Sequence, residues 1–216
     1  MSDRLRPLWD FDDLDVSEQR LVEQRERETT DEGRAEVLTQ LARVEGLQDR
    51  FEAGERLIQE AEALAGASPV ARIRIDLERG RLLRSAGDPA GALPLFVSAY
   101  EKAVAAGEHF LAADAAHMAM IAAPNHQAKL DWTQRGIDIA QASTDRTVSY
   151  WLGPLLNNLG WEFHDAGEYE AALAYFRRAL EVRERYPENP AAILHAKEAV
   201  AEALRALGRG DEATRL

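Results

Sequence analysis

Three groups of side chains stand at helical spacing and carry usable chemistry. They are Arg74, Arg81 and Arg84; Asp114 and His117; and Asn157, Asn158, Trp161 and His164, with His195 further along. Guanidinium forks match a carboxylate or phosphate, paired amides can hold an extended main chain, and an indole offers a flat apolar platform. Together they suit a peptide. Asp114 and His117 at i, i+3, with the adjacent His164 and Asp165, also supply the residue types of a metal-dependent hydrolase. No His-Glu-x-x-His, phosphate-cradling glycine loop or nucleophile elbow accompanies them, so no catalytic centre, cofactor or metal is expected. In the competing reading Trp161 and His164 pack against a neighbouring helix. Arg81 and Arg84 then lie on a solvated face, their stems covering apolar surface.

The composition narrows the partners. A formal net charge of −12 opposes binding to a phosphate backbone, which needs a basic surface to release counterions, so nucleic acid is not expected. The chain has no cysteine, which excludes disulfides, thiolate catalysis and cysteine-based zinc sites. Of 26 basic residues only three are lysine (Lys102, Lys129 and Lys197), a skew that fits a GC-rich coding bias as well as a need for guanidinium. No apolar run approaches the roughly 20 residues of a membrane span. The opening MSDRLRPLWDFDD lacks the apolar stretch of a secretion signal, so the expected location is cytoplasmic.

Abundant Ala, Leu, Glu and Arg favour helix throughout. Small residues recur at Ala42, Gly80, Ala116, Gly160 and Ala201, at intervals of 38, 36, 44 and 41 residues, each central to a first helix. A following helix then shows a small, large, small pattern: Gly54, Ile58, Ala61; Ala92, Phe96, Ala99; Ala128, Trp132, Arg135; Ala172, Phe176, Ala179; and a fifth that stops after Ala213. The chain therefore reads as a lead-in with a short capping helix over 1–30, five hairpins over 31–210, and a tail over 211–216. Ser17 is the expected cap of the short helix and Asp31 that of the first hairpin. Gly153-Pro154 predicts either a kink inside a helix beginning near Arg146, or a helix that starts at Pro154 after a separate turn. Pro190 opens a last helix from about Ala191 to Leu207, whose uncovered edge is a candidate homodimer surface. Trp9 and Phe11 are expected to cover the first hairpin, with a linear interaction motif as the alternative.

The run LLNNLGWEFHDAGEYEAALAYFRRA, beginning at Leu155, resembles the tetratricopeptide repeat through Leu159-Gly160, Gly167 and the Ala172, Phe176, Ala179 spacing. The family's unit is about 34 residues. Gly80, Leu83, Gly87, Asp88, Ala92, Phe96 and Ala99 repeat the pattern. The chain is similar in this to bacterial repeat proteins of undefined role. The resemblance implies an all-α solenoid of about five antiparallel helix hairpins in a right-handed superhelix. Its inner groove would bind a protein or peptide segment, as an adaptor or as a peptide-responsive sensor. Asn157 and Asn158 resemble the asparagines with which peptide-clamping members grip a main chain or terminal carboxylate. The lysines of those clamps have no counterpart here apart from Lys197.

Overall fold

The computed structural model describes residues 3–216, which form helices and no strand. The chain divides into two compact units, Met1–Asn125 and His126–Leu216. In the first, a 3-10 turn at Arg6–Leu8 precedes α1 (Leu14–Arg27), α2 (Asp31–Leu47), α3 (Phe51–Leu64), α4 (Pro69–Ser85), α5 (Pro89–Ala106) and α6 (His109–Ala122). The second holds α7 (His126–Ala142), α8 (Arg146–Ser149), α9 (Leu152–Asp165), α10 (Tyr169–Glu184), α11 (Pro190–Ala206) and α12 (Gly210–Ala213). No described helix is long and apolar enough to cross a membrane.

The hairpins are held by one repeated contact. Phe96 of α5 and Phe176 of α10 are fully buried, and each ring lies where a side chain on the facing helix would otherwise stand, at Gly80 and Gly160 respectively. A Cβ at either glycine would fall inside van der Waals contact of the ring, so the small residue is a requirement of the packing. In the first hairpin Ala42 packs in a cluster with the smaller Ile58. The turns of the two hairpins that carry these rings need left-handed backbone, and Gly87 (φ 92°) and Gly167 (φ 80°) supply it. The first hairpin has no glycine there, and Asp49 takes φ 59° instead, a conformation that aspartate tolerates better than most residues.

Several local expectations are corrected. Asp13, not Ser17, caps α1, accepting from the Val16 amide at 3.1 Å. Ser17 is buried one turn on, where its hydroxyl bonds the Asp10 carbonyl at 2.7 Å and ties the lead-in to the helix. Thr30, not Asp31, caps α2, accepting from Gly33 at 3.0 Å. In α7 the buried positions are Thr133, Gly136, Ile137 and Ala140, so the register read through Ala128, Trp132 and Arg135 is displaced by one. Trp132 is left half-buried with the Arg135 guanidinium 4.5 Å from its ring centroid, an arrangement open to an aromatic ring at a helix edge but not to an aliphatic core residue.

The long interval before Gly160 has its cause in α8, a separate turn capped by Asp145. The helix does not kink at Pro154. It begins afresh at Leu152, and Pro154 stands third in α9, where its missing N–H would have found no intrahelical partner.

Trp9 lies against the first unit's core, beside a cluster containing the buried Leu5, Leu21, Val37, Leu41 and Val44. Its indole N–H donates to Gln40 at 3.1 Å.

Candidate functional site

The sequence-derived candidates divide between the two units, and their surroundings differ. In the first unit, Arg74 on α4 is buried and pairs with Asp3 of the lead-in, with Glu36 of α2 at 3.5 Å. Arg81, two helical turns on, bridges Glu78 and Asp114 at 2.5 Å each, joining α4 to α6. Gln40 of α2 adds a bond to Glu78 at 3.3 Å. The result is a partly closed charge ladder across α2, α4 and α6.

Electrostatics follow from that closure. Burial works to raise the Asp114 carboxyl, yet Arg81 and Arg43 hold it below the usual aspartate value. Burial likewise works to lower Arg81, and the carboxylates of Asp114 and Glu78 more than offset it, leaving the guanidinium raised. Arg43 is not compensated in this way. Burial, helped by Arg81 and Arg6 and opposed by Glu78 and Asp114, pushes it down to about 10. His117, beside Asp114, falls to about 4 because burial, with Arg81, Arg43 and Arg84, outweighs the aspartate. Arg84 is exposed.

In the second unit the candidates on α9 serve packing in part. Asn157 is 8% exposed and its side-chain oxygen is buried without a hydrogen bond. Asn158 is half-buried. Trp161 meets Phe176 edge-on at 5.0 Å between centroids and His164 at 5.2 Å. His164 also meets Tyr169 at 5.1 Å, and its Nε2 is buried without a hydrogen bond. Trp161 nonetheless keeps one face open. With His195, Glu198, Glu202 and Arg205 of α11 it lines a groove of about 690 Å³, together with Leu194, Lys197 and Leu216.

Of these residues the sequence pointed to Trp161 and His195 but not to Leu194, which is 59% exposed, or to Leu216, whose carbonyl accepts from Lys197 at 2.8 Å. Leu194 was recognisable, since it stands four residues before Glu198 and seven before Ala201, on one helix face. Also missed were Gln40, Arg43 and Glu78. They occupy the positions two before and one after each small residue, where Asp114, Arg81 and His117 also stand.

Among the described residues no group of three or more His, Asp or Glu side chains gathers that could hold a metal. His117 and His164 belong to different units and have different neighbours.

The Tetratricopeptide repeat family model matches residues 154–186. No curated protein matches the chain in sequence. Among solved structures, BtubC (BKLC) from P. vanneervenii aligns with a TM-score of 0.74 at 17% identity, covering 99% of this chain and 88% of that one. A signal transduction ATPase with numerous domains and a tetratricopeptide repeat sensor, from Pyrococcus horikoshii, aligns with a TM-score of 0.72 at 14% identity, covering 94% of this chain and 32% of that one. At these identities the likeness is one of fold: stacked helix hairpins.

Proposed function

We propose, from the premise that this chain is a tetratricopeptide-repeat protein, that it is a non-enzymatic scaffold that docks a protein or peptide segment on the open face of α9 and α11. The observation carrying this reading is the groove of about 690 Å³ in which Trp161 and the exposed Leu194 lie among charges of both signs. An indole is the kind of anchor that dominates interface energies, and the exposed leucine beside it adds apolar area for a partner to bury. His195, Lys197, Glu198, Glu202 and Arg205 form a polar rim suited to fixing the register of an apolar side chain seated between them.

The experiment is a peptide-display selection on the intact protein, followed by calorimetry on the recovered peptides. Trp161→Ala and Leu194→Asp are each expected to weaken binding by about tenfold or more. Undiminished binding in both variants would remove the groove from the account. A second copy of the chain seated there would instead show as a dimer that Leu194→Asp dissolves.

The sensor in the Pyrococcus horikoshii protein's description favours a second reading, in which a bound peptide changes the conformation of this chain. Scattering with and without the selected peptide separates the two. Compaction supports the sensor and an unchanged profile supports the scaffold.

A further inference from the structure

The lead-in before α1 covers the first-unit position that Trp161 holds in the open groove of the second. Arg43, one residue after Ala42, corresponds to Trp161, one after Gly160, and Gln40 corresponds to Asn158. In the first unit this chain's own residues lie on both. The Trp9 indole N–H donates to Gln40 at 3.1 Å, and the Arg43 guanidinium lies 5.2 Å and 5.4 Å from the centroids of the stacked Trp9 and Phe11 rings. Leu5 is buried in a cluster with Val37, Leu41 and Val44 of α2. Asp3 pairs with Arg74 of α4, and Arg4 pairs with Glu28 at 2.5 Å and with Glu36 of α2 at 3.2 Å.

This cover is built to open. Its only regular structure is the 3-10 turn Arg6–Leu8, and Arg4, Arg6, Pro7 and Phe11 are exposed while Asp3, Leu5 and Trp9 reach inward. A segment docked through a few side chains opens at lower free energy than helices packed within the hairpins. The charges it would leave behind define what can take its place. Arg74 is 4% exposed, its remaining carboxylate Glu36 stands at 3.5 Å, and its Nε–H has no hydrogen bond. Glu28 would lose Arg4. Largely buried charge without a partner is unfavourable, so the vacated face selects an occupant that returns an acid and a base in that order.

We infer that the face of α2 and α4 is a second docking surface, occupied in cis by the lead-in, and that its partner is a protein segment presenting an acid, a base and a leucine in succession, with a tryptophan four residues on. The tether gives the lead-in a high effective concentration, so a segment supplied in trans competes poorly with the intact chain. Its apparent affinity scales with the fraction of molecules whose face is open, and weakening the lead-in's hold raises that fraction. The surface lies wholly in the first unit and is independent of the groove on α9 and α11, so either can fail alone.

The probe is a fluorescently labelled synthetic peptide of residues 3–13, DRLRPLWDFDD, titrated into the full chain and followed by anisotropy. Trp9→Ala and Asp3→Ala in the protein should each bind it about tenfold or more tighter than the unaltered chain does. A peptide with its acid and base exchanged, RDLRPLWDFDD, or with alanine in place of the tryptophan should lose about tenfold or more on the same variants. Leu194→Asp should leave the peptide's affinity unchanged. Hydrogen exchange on the unaltered chain needs no variant: the amides of Arg6, Leu8 and Trp9, bonded to the carbonyls of Asp3, Leu5 and Arg6, should exchange faster than those in the middle of α2 and α4. Exchange of these three amides only together with α2 and α4 would make the lead-in a fixed part of the core and overturn the inference. Peptide binding no tighter in either variant, or indifferent to the exchanged acid and base, would do the same.

Discussion

The residue after the small packing position is Arg43, Arg81 and His117 in the first unit but Trp161 and Glu202 in the second. The residue two before it is Gln40, Glu78 and Asp114 in the first, against Asn158 and Ala199 in the second. Identical backbone positions thus carry a charge ladder in one unit and one wall of a half-apolar groove in the other. The ladder spends much of its chemistry on itself: Arg81 takes both Glu78 and Asp114, and the lead-in covers Arg74 with Asp3. The groove leaves Trp161 and Leu194 open. The buried ring against a small residue sets the fold in both units, while two neighbouring positions decide whether a face is closed or available.

The largest expected effect tests what the units share. Phe96→Ala and Phe176→Ala each empty a fully buried site and are expected to cost about 3–5 kcal/mol in urea melts. A much smaller cost in one of them would mean that the two units are not built on the same contact. Next comes the ladder. Asp114→Ala strips Arg81 of a buried partner and is expected to cost about 3 kcal/mol. Combining Glu78→Leu, Arg81→Met and Asp114→Leu should recover most of that loss, because uncompensated charge rather than lost attraction sets the cost.

The ladder also predicts a pH dependence. His117 has a folded pKa of about 4 against an ordinary 6.5, so between these values the unfolded chain binds the additional proton. Stability therefore falls as pH drops from about 6.5 to about 4, by about 3 kcal/mol in total. Asp114, whose pKa is lowered, withdraws its contribution only as pH falls below the ordinary aspartate value, and the lowered carboxyls of Glu28, Glu62, Glu188 and Glu212 withdraw theirs below the ordinary glutamate value of 4.5, so the slope above both belongs to the imidazole. His117→Gln should flatten it in melts recorded across the range. Trp161, at the corresponding position of the second unit, carries no group that titrates in this range. The smallest effect on stability is expected for Leu194→Asp, within about 0.5 kcal/mol, because the side chain is exposed.

The sequence made the hairpins legible where a large ring meets a glycine, because Gly80 with Phe96 and Gly160 with Phe176 leave an unmistakable spacing. It was least informative in α7, where Thr133 and Gly136 fill core positions and the conspicuous Trp132 lies at the edge. Caps were displaced where tertiary bonds claimed the expected residue, as Ser17 is claimed by Asp10. At the candidate site, Trp161 and the polar α11 residues were readable from helical spacing. The closure of Arg74 and Arg81 was not, since their partners Asp3, Glu36 and Asp114 come from other elements.

The measurement that bears most directly on the division between a closed face and an open one is calorimetric binding of a display-selected peptide to Leu194→Asp and, in parallel, to Arg84→Gln. The account predicts a loss of about tenfold or more for Leu194→Asp and none for Arg84→Gln. Retained affinity in Leu194→Asp with a loss in Arg84→Gln would contradict it and move the docking surface to the first unit.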